Sequence, residues 1–431
     1  MDSALKLLTV ASASDPLKAR REKFMSYNPA DAPYPLSVAN AHIIRTDAEA
    51  IDVAHKVATF LLEGDAERDR LRQVPAEVVD VFSNSGLWGI TVPREYGGAQ
   101  VSYATLAEVI TIISAADASL GQIPQNHYCL LEDIRLQGTD QQKTFFFALA
   151  LKGNRFANAI SETGGKTVQD IQTRFARDGD EVVVNGRKGY CTGSLYAHWL
   201  GVLALDHEDR AHLAFVPRNS PGLTVVDDWS SIGQRNTASG TVLVQDLRVA
   251  DFNVFKTYRS YANPTLAGPF AQITTAAIDA GIARAALRDT LVFVREQARP
   301  WIDSGLEKAS DDPLTIIQIG KLSIQLDASE ALLERAGRVM DSVRANPDED
   351  GVARASVAVA KAKVLTTEIA LEACTRLFEL GGTRSSLARH NHDRHWRNAR
   401  VHTLHDPVRW KYHVVGNWLL NGVNPPRHDW S

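Results

Sequence analysis

From about residue 46 to 152, apolar positions recur three and four apart. DAEAIDVAHKVATFLLEGDAERDRLR (47–72), PAEVVDVFSNSGLW (75–88) and YATLAEVITIISAAD (103–117) all show it, which predicts an N-terminal helical domain over 46–152. Pro75 suits the first turn of a helix. At about 153 the texture changes to short β-branched runs. DEVVVNGRKGYCTG (180–193) reads as a strand interrupted by Asn185-Gly186, a pair that favours a hairpin turn. WLGVLALDHEDRAHLAFVP (199–217) reads as a second hairpin with a polar tip, and GTVLVQDLRV (240–249) as a further strand. These predict an antiparallel β-domain over 153–258.

Beyond 259 the helical spacing returns in three long segments. One runs to Pro300, the next starts at Pro313, and the third stops at Gly381-Gly382. Helices of about thirty residues are roughly 45 Å long. Their many alanines let backbones approach, so residues 259–431 read as a helical bundle with a tail. Residues 1–45, with the Pro-rich YNPADAPYPLS, read as an arm or linker. The fold class is therefore α+β, in the order helical domain, β-domain, long-helix bundle.

Composition narrows the function. The 431 residues carry a formal net charge of -4, with 23% charged and 44% apolar residues. No basic excess points to nucleic acid, and no apolar run reaches membrane-spanning length. The N-terminus has no basic n-region and carries Asp2, unlike a secretory signal, so a cytoplasmic protein is expected. Cys129, Cys191 and Cys374 have neither metal nor redox spacing and read as packed thiols. RHNHDRHW (389–396) holds His390, His392 and His395. Without HExxH or matched cysteines it reads as a charged surface turn, and no metal is expected. There is no dinucleotide fingerprint and no P-loop.

The stretch RVHTLHDPVRWKYH (400–413) poses a chemical question. Asp406 and Pro407 read as cap and first position of a helix, so His405 ends one element just before the next begins.

In that order of domains, five segments resemble the acyl-CoA dehydrogenase superfamily over nearly the whole chain after the arm. They are TVPREYGGAQVSYATLAEV (91–109), NAISETGGKTVQDIQTRF (158–175), VREQARPW (294–301), ELGGTR (379–384) and the TLHDP stretch (403–407). The dehydrogenases keep a glutamate base in the last segment, and this chain has His405. An imidazole titrates near 6.5 and donates a hydrogen bond whether neutral or charged. That exchange, with DDWSSIGQRNTASG (227–240), DRHWRNARVHTLHDP (393–407) and ARPW (298–301), resembles the flavin-dependent monooxygenase branch. The branch includes dibenzothiophene monooxygenase and the sulfur-acquisition oxidoreductases, of which the latter are the nearer in pattern.

The resemblance implies reduced FMN supplied by a separate flavin reductase, a C4a-hydroperoxide formed with O2, and oxygenation of a small organosulfur substrate by a homotetramer. It assigns His405, with His402 one turn away, to the peroxy group and its proton, and Thr192 in YCTGS to a hydroxyl near the flavin. Asn158, Ser161, Trp229 and Ser239 fall where relatives contact the cofactor. Arg295 and Arg384 fall where relatives hold its phosphate, with Arg299 a competing choice for the first. His127, Gln122 and Asn126 fall on the substrate side. The dibenzothiophene enzyme has a histidine and a tyrosine where this chain has Gln122 and Asn126, which favours a smaller substrate. Two other readings stay open: an FAD-dependent acyl-CoA dehydrogenase whose base comes from elsewhere, and a non-catalytic scaffold that keeps the fold.

Overall fold

The computed structural model describes residues 41–74, 76–428 and 430. Pro75 and residues 1–40 of the predicted arm lie outside the described residues.

Among the described residues six helices come first: α1 (Asp47–Leu62), α2 (Asp65–Leu71), α3 (Ala76–Asn84), α4 (Tyr103–Ala116), α5 (Ala118–Gln137) and α6 (Asp140–Leu151). Side chains set several of their starts. Thr46 caps α1, Ser102 caps α4, Asp117 caps α5, and Thr139 forms a capping box with Gln142 on α6. α4 is buried on most of its circumference, through Leu106, Val109, Ile110, Ile112 and Ile113, and so runs through the core.

Eight strands follow: β1 (Phe156–Ala159), β2 (Arg174–Asp178), β3 (Glu181–Lys188), β4 (Trp199–Leu205), β5 (Ala211–Pro217), β6 (Leu223–Val226), β7 (Thr241–Ala250) and β8 (Val254–Phe255). They form one sheet in the order β6-β7-β3-β2-β4-β5-β8, with β1 against β4. The β4–β5 hairpin stands where its pattern put it, its tip closed by Arg210 on Asp206 at 2.8 Å.

Two expectations need correcting here. The sheet is mixed, because β1 runs parallel to β4 with Asn158 opposite Gly201, and β2 meets β4 in parallel at Arg174 and Leu205. The intervening β2–β3 hairpin gives the chain the length that a parallel return requires. Asn185-Gly186 is not a turn: it lies inside β3 as a bulge against β7, and the chain reverses at Gly179, φ +63°. Gly186 is needed for close approach, since a Cβ there would lie 2.2 Å from Thr173 Oγ1.

The bundle is α7 (Ala267–Glu296), α8 (Pro313–Val343) and α9 (Glu349–Gly381), followed by α10 (Asp393–His402) and α11 (Arg409–Asn421). Asp312 caps α8 ahead of Pro313, and Gly382 ends α9 at φ +64°. α7 is the central helix, with every residue from Ala276 to Ala283 buried. A Cβ on Gly281 would lie 2.5 Å from Ser114 Cβ, so α4 and α7 cross almost backbone to backbone. No described helix is long and apolar enough to cross a membrane.

The joint after α10 also differs from its reading. α11 starts at Arg409, and the Asp406 side chain caps nothing. It turns inward, 4% exposed, toward Lys363 and Lys411. An N-cap stabilises by about 1 kcal/mol, less than the charge attraction available in a dry seam. The 389–396 stretch is a surface turn only in its first half, at the exposed Arg389, and from Asp393 on it is the first turn of α10. Arg394 and His395 are buried and reach Asp289 at 3.0 and 2.7 Å, and Arg394 also reaches Asp65 at 3.0 Å. Burial penalises these charges, and pairing with Asp289 and Asp65 offsets that cost.

Candidate active site

The turn after β3 places Thr192. Gly193, φ +80°, packs against Ile123 of α5 and Ala157 of β1, which brings the turn onto both elements. Thr192 Oγ1 lies 2.7 Å from Ser239 Oγ, and Ser239 Oγ lies 2.7 Å from Thr237 Oγ1. Thr237 Oγ1 donates to the Gln234 carbonyl at 2.9 Å, which also accepts from Trp229 Nε1 at 2.8 Å. Three residues chosen from sequence, Thr192, Trp229 and Ser239, thus share one hydrogen-bonded chain.

Strain collects in the same place. Tyr190, Gln234 and Ala238 have φ of 55°, 50° and 51°. Left-handed conformations cost a non-glycine residue about 1 kcal/mol or more and persist where the surroundings impose them. The Tyr190 ring is exposed and stands edge-on to Trp229, with centroids 6.0 Å apart.

Asn158 on β1 donates from Nδ2 to Asn126 Oδ1 at 2.8 Å. Gln122 lies one turn before Asn126 on α5. Asn158 Oδ1 and Gln122 Oε1 are buried without a partner among the described residues, as are Asn236 Oδ1 and both polar atoms of the Gln234 amide. Orphaned buried polar atoms cost about 1–3 kcal/mol each. Their concentration beside the hydroxyl chain fits a flat, polar-edged cofactor such as a flavin. Ser161 is half-buried, and its carbonyl accepts from Gly189 N–H at 2.9 Å.

α10 joins this region to the two histidines. Asn398 Oδ1 accepts from Gln234 N–H at 2.7 Å, and a Cβ on Gly233 would lie 2.0 Å from the Arg397 carbonyl. One turn on, His402 is buried, with Nδ1 2.5 Å from Asp279 Oδ1. Burial lowers its pKa, and Asp279 opposes that. Burial alone would raise the pKa of Asp279, but Lys363 and then His402 outweigh it and hold the carboxyl below its ordinary range. His405 is 44% exposed, with Nδ1 3.1 Å from Asp406 Oδ1, so Nε2 is its outward nitrogen.

The expectation for His127 does not hold. It is fully buried: Phe156 N–H donates to Nδ1 at 3.0 Å, and Nε2 lies 2.8 Å from the Trp88 carbonyl. Both nitrogens serve the fold, and burial pushes the pKa down to about 3, leaving the ring neutral. Arg295 and Arg384 are exposed at the far end of α7, where Arg384 Nη1 donates to the Gln297 carbonyl at 3.0 Å. Contacts among the described residues do not bring either arginine to Thr192.

Sequence reasoning missed Tyr190, Thr237, Asn398, Asp279 and Lys363. For the last two a signal existed, because each is a charge in a mostly apolar helical stretch: Asp279 in TTAAIDAGIARAA, which also holds Arg284, and Lys363 in SVAVAKAKV, which also holds Lys361.

The sequence matches the acyl-CoA dehydrogenase N-terminal domain over 49–154, the middle domain over 157–247 and the C-terminal domain over 273–410. It is 31% identical over 411 residues to a dibenzothiophene monooxygenase of Rhodococcus erythropolis, covering 90% of this chain and 98% of that one. FMN-bound TdsC from Paenibacillus sp. A11-2 superposes with a TM-score of 0.85 at 30% identity, over 89% of this chain and 100% of that one. Methanesulfinate monooxygenase MsuC from Pseudomonas fluorescens does so at 0.82 and 28%, over 88% and 99%. The chain belongs to the acyl-CoA dehydrogenase family, alongside these flavin-dependent monooxygenases.

Proposed function

We propose that the protein is a reduced-FMN-dependent monooxygenase that transfers one atom of O2 to a small organosulfur compound. The observation that carries this is the joint after α10. The dehydrogenases keep a carboxylate base there, and here the residue is His405. The adjacent acid, Asp406, is 4% exposed and committed to lysines, so it supplies no free base.

Bound reduced FMN would supply the activation of O2. The polar edges of Asn158, Ser161 and Ser239 would hold the ring and its side chain, with Trp229 as a wall. Thr192 would present its hydroxyl oxygen at the flavin edge as an acceptor, because its proton is directed to Ser239 once Thr237 donates to the Gln234 carbonyl. His405 would hold and return a proton at Nε2, because Nδ1 is engaged by Asp406. His402, pinned by Asp279, would keep the neighbouring space ordered and dry.

Arg295 and Arg384 would bind the phosphate of a flavin in a neighbouring copy, which suits their exposure away from Thr192. Leu314, Ile316, Ile317 and Ile324 stand exposed on α8, and Leu419 and Leu420 on α11, surfaces suited to burial in a homotetramer. Gln122 and Asn126 give the substrate side a polar lining suited to a small sulfone, sulfide or related compound. The sequence carries no dinucleotide fingerprint, so a separate reductase would provide the reduced flavin. Cys129, Cys191 and Cys374 form no disulfide with one another, in keeping with a reducing cytoplasm.

The test is product analysis after incubation with FMN, a flavin reductase, NADH and a panel of organosulfur compounds. An oxygenated sulfur product supports the reading. Anaerobic reduction of bound FAD by an acyl-CoA, with no oxygenated product, contradicts it.

A further inference from the structure

A row of ionisable side chains fills the seam between α7, α9, α10 and α11. Asp279 is 0% exposed, His402 and Lys363 1% each, and Asp406 and Lys411 4% each. His402 Nδ1 lies 2.5 Å from Asp279 Oδ1, whose Oδ2 lies 3.6 Å from Lys363 Nζ. Lys363 Nζ lies 4.0 Å from Asp406 Oδ1, and Asp406 Oδ2 lies 3.7 Å from Lys411 Nζ. His405 closes the row at 3.1 Å from Asp406 Oδ1. Thr367 Oγ1 donates to Asp279 at 3.1 Å, and Lys411 Nζ donates to the Trp430 carbonyl at 2.6 Å.

Lys363 is the odd member. Its ammonium is buried without a hydrogen bond among the described residues, yet two carboxylates flank it. Burying an ion costs several kcal/mol, and a well-packed apolar side chain would fill the same space without that penalty. What the ammonium provides is charge balance. With both imidazoles neutral, Asp279 and Asp406 offset Lys363 and Lys411. A proton on His402 leaves the seam with one positive charge, and a proton on His405, at the exposed end of the row, adds a second of like sign.

We propose that Lys363 is a positioning residue that couples His402 to His405, so that one of them, and not both, carries a proton at a time. Each histidine has its own carboxylate, and the ammonium between those carboxylates links them. This role rests on the oxygenase reading for its purpose, since a single mobile proton at His405 suits controlled delivery to oxygen. The coupling itself is a property of the flavin-free protein, so its failure and the failure of that reading are separable.

The test is histidine titration by NMR in the full-length chain, 13C-labelled at histidine and free of flavin. The His402 signal is assigned by its loss in His402→Gln. The groups facing it are Asp279 from α7, Lys363 and Thr367 from α9, His405 and Asp406 from the joint, and Lys411 from α11. In Lys363→Met the His402 midpoint moves up, because a protonated imidazole then neutralises an excess carboxylate. In the double variant with Asp406→Asn it moves back down. His405→Gln changes the exposed end of the row and leaves its buried members Asp279, Lys363, His402, Asp406 and Lys411 in place. It also moves the His402 midpoint up, because the competing proton site is gone. A His402 midpoint that stays in place in His405→Gln overturns the coupling, as does one unmoved in folded Lys363→Met.

Discussion

Thr192 Oγ1 and Ser239 Oγ, 47 residues apart in the chain, lie 2.7 Å from each other in the turn that faces Trp229. Neither residue is distinctive alone. Together with Thr237 they form a buried hydroxyl chain that ends on a backbone carbonyl. The carbonyl can only accept, so the protons run from Thr192 to Ser239 to Thr237 and leave the Thr192 oxygen as an acceptor at the open end.

Thr192→Val removes the hydroxyl while keeping the branched shape. Product formation per NADH is expected to fall about tenfold, the equivalent of one hydrogen bond of roughly 1.4 kcal/mol. Thr192→Ser should stay within about threefold, because the hydroxyl is retained. Product yield against peroxide released is the measurement, and equal losses in both variants would count against the hydroxyl.

Arg295→Ala and Arg384→Ala should each weaken FMN binding by about ten- to a hundredfold, the range of one lost charge-assisted hydrogen bond. Riboflavin lacks the phosphate, so its affinity should not change. Fluorescence titration with both ligands checks this, and parallel losses for the two would show that the arginines do not hold phosphate.

How much of this was legible in the sequence follows from what sequence patterns encode. Apolar spacing and prolines marked the long helices, because burial of one face and the loss of a backbone donor are local facts. The direction of β1 was not legible, since parallel pairing depends on a crossover rather than on alternation. Asn185-Gly186 misled because a glycine serves a bulge against Thr173 as well as it serves a turn. Thr192, Trp229 and Ser239 were chosen through resemblance and share one hydrogen-bonded chain, but their common anchor, the Gln234 carbonyl, is a backbone group that no pattern marks. His127 misled in the opposite way: a histidine that the resemblance put on the substrate side has both ring nitrogens taken by backbone groups. Asp406 was read as a cap because its neighbours were visible and its two lysines, distant in sequence, were not.

His127 gives a pH prediction. Burial holds its folded pKa at about 3, against about 6.5 in the unfolded chain. Between those values the unfolded state binds a proton that the folded state refuses. The contribution is therefore fully present above about 6.5 and is lost as pH falls below it, by up to about 1.4 kcal/mol per unit. His127→Gln, which has a donor and an acceptor but no titration, should show a flatter decline in urea-unfolding free energy below about 6.5. An unchanged slope would refute the assignment.

Asp279→Ala leaves Lys363 facing a single carboxylate and His402 without its partner, both buried. Breaking a buried pair from one side costs about 3–5 kcal/mol. The urea midpoint should drop accordingly, and a loss under about 1 kcal/mol would mean that water already screens the seam.

The most direct measurement is isotope incorporation under 18O2, with FMN, a flavin reductase, NADH and the organosulfur compound that turns over. One 18O atom in the sulfur product, with incorporation falling sharply and peroxide rising in His405→Ala, is the expected result. A product whose added oxygen comes from water, or unchanged coupling in His405→Ala, would contradict the account.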